Sequence, residues 1–474
     1  MSKQISILKY CCLAIGIILS GCVSQTAVQK DVSSARNQAY VQWQASKNRL
    51  ADEAKVIDGS LSIDQAIANA LSNNRALQIV LEENNVAKGR IIEAYEGVLP
   101  NVSIGGSYTR QDKDSYTYNG TTYPLGRKNN YAGTVSVTQP IYSGAASAAF
   151  RASRYYDALA NEQVKLAVQN TVFGTIRSYT QVLLAGEQLG VTEVYADLAE
   201  AHLKNVQTKR EFGTASDFNV LRSKVELSNA RSEMIQYQNE LHTARTNLLK
   251  TIGASQESRI ELTDKLTYEP LSIEEDRTIK EAFINRPDLA AAVLGEKLQA
   301  ESLNAVKSEY YPSVNAFYRH TLGNPDPYIA TRDDWGDAWN AGINVTVPIF
   351  NGLGRNGRMI QQKAALEQHR IEVLDTQEKV LFEVRNAILS LQNATRLVET
   401  QKLSIVQAEE GLRIAEVGYR EGSIDQVSVL DARAALTKAQ LLYYRSLYDH
   451  SIARANLELV KGTLGHTTKD KKAQ

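Results

Sequence analysis

The chain has 474 residues, and its 53 basic and 53 acidic side chains cancel to a formal net charge of +0. This balance argues against a nucleic-acid-binding protein, which normally carries a basic excess. At 43% hydrophobic residues the chain can bury a core, but no internal stretch reaches the about 18 apolar residues that a membrane-spanning helix needs. The alternating strands of a membrane barrel stay possible, because they barely change average hydropathy.

Residues 1–21 are typical of a lipoprotein signal peptide. A short basic region precedes an apolar run at 11–19, which is too short to span a bilayer. The run ends in Leu19-Ser20-Gly21-Cys22, which matches the bacterial lipobox at all four positions. We therefore expect lipidation at Cys22, and Val23 after it favours the outer membrane. The alternative is an ordinary signal peptide with a chance cysteine. The other two cysteines would leave with the signal, so no disulfide is expected.

The rest of the chain repeats one pattern. All nine prolines lie outside two tracts, Ile141 to Glu269 and Ile349 to Gln474, and such tracts permit very long helices. Landmarks of the first half recur in the same order about 210 residues later, which indicates an internal duplication. The clearest pairs are Leu61-Ser62-Ile63-Asp64-Gln65 with Leu271-Ser272-Ile273-Glu274-Glu275, and Gln139-Pro140-Ile141-Tyr142-Ser143-Gly144 with Val347-Pro348-Ile349-Phe350-Asn351-Gly352.

Each half is predicted to run helix, two strands, very long helix, turn and long helix. Ser62 with Gln65, and Ser272 with Glu275, form the capping-box pattern that opens a helix. The predicted domains are an N-terminal segment at 22–60, repeats at 61–270 and 271–465, and a disordered tail at 466–474. The predicted strands are at about 101–110, 130–141, 313–322 and 339–349, and the long helices at about 145–212, 214–252, 355–421 and 424–461.

The longest helices would reach on the order of 100 Å at 1.5 Å per residue, which is typical of coiled coils and not of ordinary globular helices. Apolar residues recur at heptad spacing in the second half, and we expect this stripe to pack against neighbouring helices rather than hold a cofactor. The stripe comprises Val384, Leu391, Val398, Ile405 and Leu412, with Val427, Leu430, Ala434, Thr437, Leu441, Tyr444 and Tyr448 on the return helix.

The clearest strand, Trp339 to Ile349, alternates apolar with small or polar residues. Such a strand fits lipid on one face and water on the other, and the alternative is a small soluble sheet. Four strands cannot close by themselves, and an open edge in lipid leaves unpaired backbone groups. Two chains would give eight strands with a filled interior, whereas three would give twelve and leave a lumen. A conducting barrel therefore requires at least a trimer.

Together these features resemble the TolC family of outer-membrane export ducts over essentially the whole mature chain. The resemblance implies a mainly α protein with a transmembrane β portion. It also implies a homotrimer with a twelve-strand barrel in the outer membrane and a twelve-helix coiled-coil tunnel across the periplasm. A periplasmic adaptor and an inner-membrane transporter would open its closed tip. The most specific segments are Tyr419-Arg420-Glu421-Gly422-Ser423 with Val429-Leu430-Asp431-Ala432, and Phe212-Gly213-Thr214 with Val220-Leu221.

The resemblance also assigns roles to residues at the tip. Gly213 and Gly422 would make the tight turns on which the adaptor docks, and the alternative is an ordinary turn between two helices. The implied docking residues are Gly213, Thr214, Leu221, Gly422, Ser423, Val429 and Leu430, of which Leu221, Val429 and Leu430 would pack beneath the turns.

The family pattern places a pore gate at Asp431 and Tyr419. Three copies of Asp431 would form an acidic ring, and Tyr419 would make a hydrogen bond across the closed tip or simply fill the bundle. A second family acid is replaced by Ser428, which puts a double ring in doubt. Asp217 and Asp425 could substitute for it, or could be acids favoured at a helix start.

We expect no catalytic residue, cofactor or metal. Gly352 to Gly357 is a literal G-x-G-x-x-G, but the very long helix that follows excludes the βαβ unit that nucleotide binding requires. The six histidines show no ligand spacing. The primary hypothesis is a passive efflux duct, and the alternatives are the outer-membrane component of a type I protein secretion system and a non-conducting coiled-coil lipoprotein tether.

Overall fold

The computed structural model describes residues 25–46, 57, 59–124, 126–329, 331 and 333–465. The predicted signal peptide, Cys22 and the tail at 466–474 lie outside the described residues. The N-terminal segment at 22–60, for which the sequence indicated no structure, contains helix α1 at Gln25–Ser46. None of the described helices combines the length and the hydropathy needed to cross a membrane.

Two of the helices are far longer than the others, with 68 and 67 residues. Each long helix ends within a few residues of its predicted bound. The sequence predicted one helix before the strands of each half, but two are present, because Asn74 caps a new helix in the first half and Pro287 starts one in the second. The remaining helices are α2 Ile63–Asn73, α3 Arg75–Ala94, α4 Gly144–Glu211, α5 Asp217–Thr251, α6 Glu275–Asn285, α7 Pro287–Ser308, α8 Gly354–Arg420 and α9 Gln426–Val460.

The two predicted capping boxes have different outcomes. Ser62 caps α2, with Gln65 returning the bond to the Ser62 backbone, so this prediction is confirmed. The prediction for Ser272 is wrong, because α6 is capped at Glu274 without a side-chain bond. The Glu275 carboxylate instead accepts a hydrogen bond from Arg385 of α8 at 3.1 Å.

The described strands are β1 Gly59–Leu61, β2 Asn101–Arg110, β3 Ser115–Tyr118, β4 Thr121–Pro124, β5 Asn129–Tyr142, β6 Ile260–Leu262, β7 Ser313–Asn324 and β8 Gly336–Thr346. They form one four-stranded antiparallel sheet and two small pairs. The order in the large sheet is β2-β5-β7-β8, while the β1–β6 pair and the β3–β4 hairpin were not predicted. The strand predicted at 339–349 instead spans Gly336–Thr346.

The strand β8 ends at Thr346, opposite Ser313, which is the first residue of its neighbour β7. The chain then turns into α8. The buried Arg355 guanidinium holds this turn, because it donates to the carbonyls of Pro348, Ile349 and Glu309 at 2.8 to 2.9 Å and lies over the Tyr310 ring. The G-x-G-x-x-G segment forms the end of the turn and the first four residues of α8, with Gly352 and Leu353 at positive φ.

The long helices hold the molecule together by side-to-side packing. The helix α4 packs along α5 toward one end and along α3 and α7 toward the sheet, and α8 packs along α9, α7 and α6. Buried side chains concentrate near the middle of each long helix, around Tyr179 in α4 and Val384 in α8. The heptad stripe on α8 is buried at Val384, Leu391 and Val398 but only half-buried at Ile405 and Leu412. These two stripe positions are thus less covered within one chain than those near the middle of α8, although Ala415 and Gly418 are buried close to the turn at residue 422.

Candidate functional site

Two turns with the same backbone design lie at the far end of the long helices. Gly213 and Gly422 have φ of +73° and +78°, a left-handed conformation that glycine adopts without strain. In the first turn the Thr214 amide donates to the Lys209 carbonyl at 2.8 Å. In the second, the Ser423 amide donates to the Gly418 carbonyl at 2.9 Å. These bonds satisfy the last carbonyls of α4 and α8 before the chain reverses.

The acids next to the turns act as helix-start groups. Asp425 is the N-cap of α9, and its carboxylate accepts from the Ser428 amide at 2.8 Å and from the Ser428 hydroxyl at 2.7 Å. The hydrogen bond from the Ser428 hydroxyl contributes most to lowering the pKa of Asp425 below its ordinary value. Asp217 is the first residue of α5 and forms an ion pair with Arg210 at 2.7 Å.

The predicted docking residues divide into exposed and buried groups. Gly213, Thr214, Gly422 and Ser423 are exposed at the turns, and Val429 and Leu430 are buried beneath them. Leu221 does not pack beneath the first turn, because 61% of its surface is exposed. The helical spacing alone could not tell whether Leu221 faces α4 or solvent.

Two further apolar residues at the first turn, Phe212 and Phe218, were not among the predicted docking residues, although Phe212 belongs to the segment that resembles the family. Phe212 is 79% exposed and Phe218 is 67% exposed. The second turn carries Glu421 and Ser423 where the first has Phe212 and Thr214, so one turn is apolar and the other polar. The sequence signal that could have identified this apolar area is the pair of phenylalanines on either side of the turn glycine Gly213.

A buried polar cluster joins the two helical hairpins behind the turns. The Gln426 Nε2 group of α9 donates to Ser223 Oγ of α5 and contacts His202 Nε2 of α4, both at 2.9 Å. Because the Gln426 amide is the donor, His202 Nε2 must be the acceptor. A ring nitrogen that accepts carries no proton, so the imidazole ring is neutral. Burial lowers the pKa of His202, and the charges of Arg433 and Lys209 lower it further.

The two predicted gate residues, Tyr419 and Asp431, each lie near a charged group. Tyr419 of α8 accepts a hydrogen bond from Lys209 Nζ at 3.4 Å, and the same ammonium lies 4.5 Å from the Tyr419 ring centre. Asp431 of α9 is exposed. Burial and the nearby Asp431 charge raise the pKa of Glu226 on α5. Within one chain, Tyr419 and Asp431 are thus near charged groups of the opposite hairpin.

The four-stranded sheet at the other end has two chemically different faces. Because residues alternate along a strand, the observed register assigns each residue to one face. On one face the Tyr108 ring is tilted against the Tyr131 ring, with centroids 5.0 Å apart, and Tyr318 stacks on Trp339 at 6.3 Å. The remaining large apolar residues of that face are Val102, Ile104, Val135, Val137, Val314, Leu322, Ile343 and Val345.

The opposite face consists almost entirely of Asn, Ser, Thr, Gly and Ala. Its two larger side chains are Phe317 and Arg319, both on β7. The Phe317 ring covers Gly342 on the neighbouring strand, where an added Cβ would lie 3.1 Å from ring atoms. The aromatic face is therefore suited to lipid and the small polar face to water.

The outer strands of the sheet, β2 and β8, each have one strand neighbour in the described part of the chain. Since strand direction alternates across the sheet, β2 and β8 run in opposite directions. A second copy could therefore place its β2 beside β8 and continue the antiparallel pattern. Edges of this length invite pairing with another strand.

Residues 66–254 and 278–463 match the family model described as outer membrane efflux protein. The chain belongs to the outer membrane efflux protein family. The resemblance proposed from the sequence is thereby confirmed, and the family is one of transport channels. The matched residues include both helical turns and the whole large sheet of this efflux protein.

Known relatives of this efflux protein export different cargoes. It is 22% identical over 394 residues to the pyoverdine export outer membrane protein OpmQ of Pseudomonas aeruginosa, covering 81% of each chain. It is 19% identical over 402 residues to the alkaline protease secretion protein AprF of the same species, covering 83% of each. The Campylobacter jejuni CmeC outer membrane channel superposes with a TM-score of 0.75 at 15% identity, over 87% of this chain and 88% of that one.

Proposed function

We propose that this efflux protein is the exit duct of a tripartite efflux system and assembles as a homotrimer. The observation that supports this best is the sheet, with one lipid-compatible face, one water-compatible face and two outer strands that each lack a second strand neighbour among the described residues. Three copies would close a twelve-strand barrel, whose size leaves a lumen. The helices α4, α5, α8 and α9 of three chains would form a twelve-helix tunnel across the periplasm. The two longest, α4 and α8, with 68 and 67 residues, would extend the lumen by about 100 Å.

The helical turns are the proposed contact with the periplasmic adaptor, through which the inner-membrane transporter would act. The exposed set Gly213, Thr214, Gly422 and Ser423 would face the adaptor, with Val429 and Leu430 supporting the turns from within. Phe212, Phe218 and Leu221 add an exposed apolar area at the first turn. An adaptor with an apolar complementary surface fits this end.

Asp431 and Tyr419 are the proposed pore gate. In a trimer, three Asp431 carboxylates with the nearby Glu226 groups would form an acidic constriction that favours cations. We expect Asp431→Ala to weaken block by a divalent cation in planar bilayers. An unchanged conductance and an unchanged block would remove Asp431 from the gate.

The anchor and the duplication complete the proposal. Acylation at Cys22 would add an outer-membrane lipid anchor to the barrel, and Cys22→Ser should abolish it, as the mass of the N-terminal peptide would reveal.

Residues 61–270 and 271–465 would be two copies of one unit, since both halves run two helices, two sheet strands, a very long helix and a long helix.

The deciding experiment combines light scattering with planar bilayers. The detergent-solubilised chain should have about three times the mass of a 52.4 kDa monomer, and the purified trimer should conduct ions. A monomer, or a trimer without conductance, would contradict the duct and favour a periplasmic tether.

The relative AprF supports a second cargo class, because its name specifies protease secretion. As the duct of a type I secretion system, the chain would pass unfolded polypeptide. Deleting the chain in its host would separate the cases. Small toxic solutes would accumulate in the cell if it is an efflux duct, whereas a secreted protein would be lost from the medium if it serves secretion.

A further inference from the structure

Arg319 is the one charged side chain on the small polar face of the described four-stranded sheet. It lies in the middle of β7, opposite Asn340 on β8 and Ser136 on β5. Its side chain is exposed. Arg319 is thus an isolated cation on a face that consists almost entirely of Asn, Ser, Thr, Gly and Ala.

The direction of Arg319 follows from Phe317, two residues earlier on the same strand. The Phe317 ring lies over Gly342, which fixes it on the small polar face, and residues two apart on a strand share a face. The charged groups His320 and Asp337 pair with each other at 3.1 Å on the opposite, aromatic face. No acidic residue of the described strands therefore shares the face of Arg319.

We propose that Arg319 is an anion-selecting residue of the duct lumen. This inference rests on the proposed trimer, in which three copies would form a ring of guanidinium groups at mid-depth in an otherwise uncharged barrel wall. Such a ring raises the local concentration of anions and repels cations. The duct would then have opposite charge at its two ends, acidic near Asp431 and basic in the barrel, and solutes with an anionic group would leave through the barrel most readily.

The test is the ion selectivity of the purified full chain in planar bilayers under a KCl gradient. Near 0.1 M salt the Debye length is about 10 Å, so the ring acts across much of the lumen, and at 1 M it is about 3 Å. We expect Arg319→Gln to raise the permeability ratio of K⁺ to Cl⁻ about twofold in dilute salt and much less in concentrated salt. Arg319→Lys should keep the natural ratio.

Arg110 offers a matched control, because it lies on β2 of the same sheet but on the aromatic face. Arg110→Gln removes the same charge and should leave the ratio unchanged. If Arg319→Gln also leaves the ratio unchanged while the natural chain conducts, the inference is wrong and the proposed duct stands. If the natural chain does not conduct, the proposed function itself fails.

A second measurement needs no comparison between separately folded variants. In Arg319→Cys, a cationic thiosulfonate reagent should restore anion preference and an anionic one should deepen the loss, within a single recording. The natural chain, whose three cysteines include Cys22 and none in the sheet, is the control. If the Arg319→Cys channel conducts but reacts with neither reagent, position 319 does not face the lumen and the inference is overturned.

Discussion

At the scale of single residues, Tyr179 shows how one hydroxyl joins distant parts of the chain. Its side chain is 1% exposed, and its hydroxyl lies 2.8 Å from the Leu61 carbonyl oxygen and 2.5 Å from Asp264 Oδ2, so the two acceptors share its single proton. Burial raises the pKa of Tyr179, so the hydroxyl keeps its proton. The small β1–β6 pair is thereby attached to the middle of α4.

Removing this hydroxyl should loosen the β1–β6 pair. In Tyr179→Phe, the buried Leu61 carbonyl and Asp264 lose a donor, which costs about 1 to 3 kcal/mol. The amides of Ile63 and Thr263, which bond to Asp264 and Leu61, should then exchange hydrogen roughly ten to a hundred times faster. Tyr116→Phe, at an exposed hairpin position, is the control. Unchanged protection at both amides would contradict the role of Tyr179.

His202 should make the link between the two hairpins sensitive to acid. Its pKa is lowered in the folded chain, so the unfolded or opened state binds more protons at mildly acidic pH. The stability that His202 contributes is complete above about pH 6.5, the ordinary histidine value, and declines as pH falls through that value. Gln426 contacts the His202 ring, and Arg433 and Lys209 lie close enough for their charges to lower its pKa.

The measurement is hydrogen exchange around Gln426 between pH 7 and 5, corrected for the intrinsic exchange rate. Protection should fall with acid in the natural chain and much less in His202→Gln, because a glutamine amide has no proton to gain. His242→Gln, at an exposed position on α5, should retain the natural response. An equal acid response in His202→Gln would assign the effect to other groups.

At the scale of elements, α8 has two apolar faces. One face is buried within the chain at Val384, Leu391 and Val398. The other is exposed at Phe382, Leu389 and Leu397 and lies on the opposite side of the helix at 100° per residue. An apolar face that remains exposed along a long helix indicates a further helical neighbour.

Substitutions two residues apart on α8 should therefore have different effects. Leu391 is 1% exposed, so Leu391→Ala should destabilise each chain by about 2 to 5 kcal/mol. Leu389 is 55% exposed, so Leu389→Glu should leave the chain folded but reduce trimer formation. Thermal unfolding and light scattering separate the two effects. A Leu389→Glu chain that still forms the full trimer would show that this face is not between subunits.

The sequence predicts elements whose pattern is long or regular, and misses those whose pattern is short. The span of β2 and the long helices follow from alternation and from proline-free tracts. The split between α2 and α3 depends on one capping asparagine, and the β1–β6 pair comprises three residues per strand. At the turns, glycine predicts the positive φ, but the exposure of Leu221 depends on packing that helical spacing does not specify.

At the scale of the whole molecule, the two outer strands of the sheet, β2 and β8, lead to a prediction that tests only how the chains assemble. In the proposed trimer β2 of one chain pairs with β8 of the next, and disulfides form where Cα atoms come within about 4.4 to 6.8 Å. Ser103→Cys on β2 should therefore cross-link between chains when combined with a cysteine at one of Asn340, Asn344 or Thr346, which share its face.

The outcome is visible on a denaturing gel. The best-matched pair should give a covalent trimer that resists dissociation until it is reduced, and its neighbours along β8 should give less, because register fixes which residues meet. Ser103→Cys with Asn315→Cys is the matched control, since Asn315 shares the face but lies on the interior strand β7. If no β8 position cross-links in a conducting preparation, the chains do not join by these edges, and the lumen must be closed in another way.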